Sequence, residues 1–225
     1  MDPSPAPLPR KAGLLMRRTI VLLATMSLTV LVASGVALAV TKIGTDGPDT
    51  LRGTNGDDNL IGKGGNDRLF ALDGRDTLVG GPGKDVVADA PRGVWRTGDK
   101  ILLGGPGNDI VFGARGSDKV VGEEGNDLLA DGPDRDVALD NVSGEAGTDV
   151  ILVASLRLKA TAGDIVTCGS GFDRVHADTK DVVAPDCEEV VLFRGGSSSE
   201  YYDLVDEFTA DVPPSFWEGL QPGVF

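Results

Sequence analysis

Apolar and polar positions recur along this chain with a period of nine. From Gly104 to Ala130 it reads GGPGNDIVF, GARGSDKVV and GEEGNDLLA, three units head to tail. Each unit carries an aliphatic residue at its eighth position (Val111, Val120, Leu129). Asp stands at the sixth (Asp109, Asp118, Asp127) and Gly at the fourth (Gly107, Gly116, Gly125). An aliphatic flanked by residues that point the other way predicts a short strand with one side chain inward. The Gly-rich half of each unit predicts a turn that uses left-handed backbone and lets neighbouring turns approach closely. A fixed period with three residue types locked in phase marks a repeat architecture. Two units make one coil of a flattened solenoid, so residues two units apart stack.

The same frame extends in both directions. Five units run unbroken from Gly44 to Ala88, with Asp49, Asp58, Asp67, Asp76 and Asp85 at position six and Gly47, Gly56, Gly65, Gly74 and Gly83 at position four. Asp89 to Val94 is an insertion, after which WRTGDKILL restores the frame with Lys100 in the Asp position. DGPDRDVAL follows Ala130, with Asp136 in phase and Asp134 in place of Gly. Asp140 to Ser143 reads as an interruption before GEAGTDVIL, which carries Asp149. Val153 to Leu158 reads as another, followed by KATAGDIVT with Asp164 and CGSGFDRVH with Asp173. Gly-rich turns direct backbone carbonyls to a common centre, and a carboxylate two residues on adds a charged hard oxygen. Calcium takes six to eight oxygens in flexible geometry, so this donor mixture suits it.

The pattern resembles the RTX nonapeptide, G-G-x-G-x-D-x-U-x, of calcium-binding parallel β-rolls. The resemblance covers about Gly44 to His176. It implies an all-β fold, a right-handed parallel β-roll with a short C-terminal cap, and several calcium ions held between turns stacked on the same side. It would pair Asp49 with Asp67, Asp58 with Asp76, Asp67 with Asp85, Asp109 with Asp127 and Asp118 with Asp136. The implied ligand set also takes carbonyls of Gly56, Gly65, Gly74, Gly83, Gly105, Gly107, Gly116 and Gly125, and the carboxylates of Asp149 and Asp173. Lys100, Asp134 and Ala162 depart from the motif, and the sites around their units lack its full donor set.

Composition agrees with a narrow solenoid. Gly accounts for 32 of 225 residues and aromatics for only 5%, too few large side chains for an ordinary globular core. The formal charge is −14; residues 1–39 contribute +3, leaving −17 for the remainder. Such a chain repels nucleic acid and suits divalent cations. Four basic residues, an uncharged run from Thr19 to Ala39 and the small-x-small ending Ala37-Leu38-Ala39 predict a secretory signal cleaved after Ala39. The competing reading is an uncleaved membrane anchor, since about 20 apolar residues span a bilayer. Met16 is an alternative start. The organisation expected is therefore 1–39 extension and signal, 40–176 roll, and 177–225 cap and tail.

Cys168 and Cys187 form an even pair in an exported chain and read as one disulfide. A zinc site using both with His176 is the rival. Glu188 to Arg194 reads as a last strand. Tyr201, Leu204, Val205 and Phe208 have helical spacing, which predicts a short amphipathic helix over Glu200 to Ala210. No nucleophile motif accompanies the single His, at position nine of its unit, where a strand end usually faces solvent; no catalytic constellation is legible. The function expected is that of a secreted, non-enzymatic calcium-binding repeat protein whose protein or glycan partner is unknown. The alternatives are an adhesion module held by an uncleaved N-terminal helix, or an accessory roll of a secreted enzyme or toxin.

Overall fold

The computed structural model describes residues 38–89, 98–113, 115–132, 138–153 and 163–193. The expected signal segment and its anchor alternative, up to residue 37, and the expected helix over Glu200 to Ala210 lie outside these residues. Among the described residues there is no helix, and the strands form two parallel eight-stranded sheets. In chain order they are β1 (Thr41–Ile43), β2 (Thr50–Arg52), β3 (Asn59–Ile61), β4 (Arg68–Phe70), β5 (Thr77–Val79), β6 (Val86–Ala88), β7 (Ile101–Leu103) and β8 (Ile110–Phe112). They continue as β9 (Lys119–Glu124), β10 (Leu128–Ala130), β11 (Asn141–Gly147), β12 (Val150–Leu152), β13 (Ile165–Gly171), β14 (Arg174–Asp178), β15 (Val182–Val183) and β16 (Glu189–Phe193).

Odd-numbered strands make one sheet and even-numbered strands the other, each stacked in chain order. Successive units therefore alternate between sheets, and every second unit pairs in parallel. Asn59 faces Thr77 and Arg68 faces Val86, both eighteen residues apart. Where the sequence carries an insertion the spacing stretches without breaking the pairing. Thr77 faces Ile101 and Lys119 faces Asn141. A few extra residues between strands cost little loop entropy while the ladder on either side is kept.

Position eight builds the core. Leu60, Leu69, Leu78, Val87, Leu102, Val111, Val120, Leu129, Val142, Ile151, Val166 and Val175 are buried in one continuous cluster between the sheets. From β3 onward each three-residue strand sends its middle residue into this cluster. The outer faces differ. Ile101, Ile165 and Val182 of the odd-numbered sheet are exposed, whereas Ile110, Leu128, Ala130 and Leu152 of the other form a second buried cluster. His176, expected at a solvent-facing strand end, is buried, paired in register with Leu152 of that second cluster.

One disulfide joins Cys168 to Cys187, with Cα atoms 5.2 Å apart. It ties the turn that carries β13 to the segment between β15 and β16. The parallel pairing runs past His176 through β15 and β16, so the closing segment is built on the same two ladders.

Candidate metal centre

The turns create two rows of position-six residues, one along each edge of the roll. One row precedes the even-numbered strands: Asp49, Asp67, Asp85, Asp109, Asp127, Asp149 and Asp173. The other precedes the odd-numbered strands: Asp58, Asp76, Lys100, Asp118, Asp140, Asp164 and Asp181. Within each row, apart from the step from Asp76 to Lys100, the backbone N–H of one residue donates to the side-chain Oδ1 of the next residue in the row. Asp49 donates to Asp67 at 2.7 Å, Asp67 to Asp85 at 2.7 Å and Asp85 to Asp109 at 2.8 Å. Asp109 donates to Asp127 at 2.8 Å, Asp127 to Asp149 at 2.9 Å and Asp149 to Asp173 at 2.8 Å. On the other edge Asp58 donates to Asp76, Lys100 to Asp118, Asp118 to Asp140, and Asp140 to Asp164. The rows end on residues the repeat pattern did not reveal: Asp164 donates to Asp181 and Asp173 to Glu188.

In the first row, from Asp67 onward, one carboxylate oxygen is thus used in joining turns, and the other is left. Oδ2 of Asp67, Asp85, Asp109, Asp127, Asp149 and Asp173 is buried with no hydrogen-bond partner. Leaving a buried carboxylate oxygen unmatched is costly, so an uninterrupted row of them calls for a cation. From Asp67 to Asp149 each Oδ2 lies close to the first Gly of its own unit. A Cβ on Gly62 would meet Oδ2 of Asp67 at 2.4 Å and the carbonyl oxygen of Gly80 at 2.5 Å. The same holds at Gly122, with Oδ2 of Asp127 at 2.3 Å and the Gly144 carbonyl at 2.9 Å. Position four forms a second stack: a Cβ on Gly83 would meet the Gly65 carbonyl, and one on Gly107 the Gly83 carbonyl. Gly74 and Gly116 stand likewise against Gly56 and Gly98, and Gly105 at position two against Gly81. Hard oxygens of two kinds therefore converge at each turn, the donor set that calcium accepts.

Protonation energetics agree. Burial pushes the carboxyl of Asp109 up to about 8 and that of Asp127 up to about 7. It raises Asp85 and Asp149 to about 6, and Asp67 and Asp173 in the same direction. Backbone hydrogen bonds oppose the shift in every case, and neighbouring carboxylates reinforce it. Asp49, in the first, solvent-open turn, goes the other way because the Thr45 backbone and hydroxyl donate to it.

The expected pairings Asp49–Asp67, Asp58–Asp76, Asp67–Asp85 and Asp109–Asp127 are adjacent in the rows. The pairing of Asp118 with Asp136 is corrected: Asp118 donates to Oδ1 of Asp140 at 2.6 Å. Asp136 itself lies outside the described residues, as do Asp134 and Ala162. The extra residues precede Asp140 rather than follow Leu139, which makes Asp140 the position-six residue and Val142 its inward aliphatic. Counting back nine from Asp149 lands on Asp140, the signal that identifies it.

Three more features were not read from the sequence. Asp131 occupies position one, normally Gly, and its carboxylate turns towards Asp140 and Asp164, with ligand atoms of all three within 4.8 Å of one another. Burial, then the charges of Asp164 and Asp140, hold the Asp131 carboxyl well above the usual range. The position-one glycines form the carbonyl stack described above. At position five, Asp57, Asn66, Asp99, Asn108 and Asn126 accept from the backbone N–H of the turn above, at 2.9–3.1 Å. This outer ladder explains the Asn and Asp found at that position. A zinc site at Cys168 and Cys187 is excluded by their disulfide.

The family model for the RTX calcium-binding nonapeptide repeat (4 copies) matches residues 43–78, 61–88 and 97–129. Comparison with curated proteins and with solved structures finds no match.

Proposed function

We propose that this chain, which carries RTX calcium-binding nonapeptide repeats over residues 43–129, is a secreted calcium-binding protein whose roll is completed by the metal. The observation that carries the reading is the row of buried, unmatched Oδ2 atoms from Asp67 to Asp173, with converging carbonyls beside those from Asp67 to Asp149. Calcium supplies positive charge and accepts six to eight oxygens at flexible geometry. Within the row, the Asp Oδ2 atoms would hold it, together with carbonyls of positions one and four. Oδ1 keeps each carboxylate in place by its bond to the turn before, and glycine at those positions leaves the carbonyls uncovered. The Asp131, Asp140 and Asp164 group would hold a further ion on the opposite edge.

Metal that binds only the folded form adds about 1.4 kcal/mol per site at ten times its Kd. A handful of sites then matches the whole stability of a typical domain, about 5–15 kcal/mol. Millimolar calcium outside cells, and a disulfide of the kind that persists there, support an extracellular setting and export with cleavage near Val40. The closing turn locked by Cys168 and Cys187 fits a roll that must withstand that environment.

Isothermal titration of the purified protein with calcium and with magnesium tests the reading. Several calcium ions should bind saturably, with magnesium a poor substitute because it demands tight octahedral geometry. Absence of saturable calcium binding would contradict it.

A further inference from the structure

Lys100 is the one residue in the two rows that brings its own positive charge. Its backbone behaves as any position-six backbone does, donating to Oδ1 of Asp118 at 2.8 Å. Its side chain is fully buried, the largest such side chain among the described residues. A lysine is almost never buried so completely unless its ammonium is matched. Here Nζ lies 3.2 Å from Oδ1 of Asp89 and 3.9 Å from Oδ2 of Asp76. It donates to the carbonyls of Gly98 at 3.1 Å and Gly74 at 3.3 Å.

These partners are the donor types found at the metal turns. Gly74 and Gly98 are position-four glycines of successive turns on one edge, and Asp76 is the position-six carboxylate between them. Asp89 occupies position one, the place that Asp131 holds two coils later on the same edge. Both position-one aspartates occur where the sequence carries an insertion. At Asp131 the neighbours are two more carboxylates, Asp140 and Asp164. At Asp89 the neighbour is an ammonium.

Resting on the calcium reading above, we infer that the Lys100 ammonium is a tethered substitute for calcium, which makes the turn between Asp76 and Asp118 metal-independent. Two negative charges and two carbonyls surround one fixed cation, so the site is matched before any ion arrives. The insertion and the lysine form a compensated pair, because Asp89 supplies the carboxylate that the row loses when Lys100 replaces Asp. The coil at β5 and β7 is accordingly the part of this edge that stays closed when calcium is withdrawn.

Lys100→Asp tests this by restoring the repeat residue and leaving Asp76, Asp89 and both carbonyls in place. Calcium stoichiometry, read by native mass spectrometry and by equilibrium dialysis, should rise by one ion over the wild-type protein. An equal stoichiometry in a folded variant overturns the inference while leaving the calcium reading intact. A wild-type protein that binds no calcium removes the reading itself. Should Lys100→Asp fail to fold, melting curves at the lowest calcium level that keeps the wild-type protein folded decide. Lys100→Met should melt about 10 °C or more below wild type, because it strands buried Asp76 and Asp89. Adding Asp76→Asn and Asp89→Asn to it should recover most of the loss. A Lys100→Met protein that melts like wild type overturns the inference.

Discussion

A Cβ on Gly125 would lie 1.4 Å from the carbonyl oxygen of Gly107, in a turn whose φ is +142°. No rotation of a side chain relieves such a contact, since the obstacle is the backbone of the neighbouring turn. Gly125 therefore has to be glycine, as do Gly83, Gly107 and Gly147, where a Cβ would come within 1.7 Å of the carbonyl oxygen of the turn below. Gly47 differs because it stands in the first turn, where a Cβ would come no closer than 3.9 Å to Thr45 Oγ1. Gly125→Ala should cost about 3 kcal/mol or more, and Gly47→Ala about 0.5 kcal/mol or less. Thermal melts of the two variants in saturating calcium check the contrast. Similar melting temperatures would mean that the turns do not stack as closely as described. Position two is less strict: Lys63, Leu72, Glu123 and Glu145 adopt φ between 77° and 82° there, a tolerated departure from the Gly that the repeat prefers.

The row of carboxylates is the element in which metal and proton compete. Folded, metal-free Asp109 and Asp127 titrate near 8 and 7, and Asp85 and Asp149 near 6, against an ordinary value of 3.8. The folded form therefore holds more protons than the unfolded form between these limits. Stability contributed by protonation is fully present below about 4 and is lost as pH rises through 6 to 8. Acidification should thus stabilise the metal-free roll and weaken its hold on calcium. Calcium titrations at pH 8 and pH 5 should give weaker binding at pH 5, with proton release accompanying binding at pH 7. Asp109→Asn should lower calcium stoichiometry, since it removes an anionic oxygen from the middle of the row. Asp99→Asn should leave stoichiometry unchanged, because Asp99 is a position-five residue whose Oδ1 only accepts from Ser117. Equal losses in the two variants would contradict the assignment of the rows.

At the scale of the whole molecule, the fold was legible because three residue types recur in one phase, and each has a separate physical duty: an inward aliphatic, a turn glycine and a ladder carboxylate. The phased repeat predicted short strands stacked two units apart, the RTX resemblance implied that they run parallel, and both sheets are built so. Insertions limited the reading. A gap can sit on either side of a degenerate unit; pairing places Asp140 opposite Asp118, in phase with Asp149 rather than with Asp127. Asp181 and Glu188 were missed because the last units lose their glycines while keeping a carboxylate at the ladder position. Asp89 and Asp131 were missed because their side chains act only after the chain has coiled back on itself.

Calcium-driven folding is the central claim, and it follows from the balance of terms in the whole chain. Two narrow edges gather carboxylates in a chain with only 5% aromatic residues and a formal charge of −14. Few large apolar side chains are present to offset that repulsion and the ordering entropy. Far-UV circular dichroism of the purified protein at neutral pH, first in a chelator and then with calcium added to millimolar levels, tests the claim most directly. The account expects a largely disordered spectrum in the chelator and a cooperative gain of β signal with calcium. A full β spectrum in the chelator, unchanged by calcium, would contradict it.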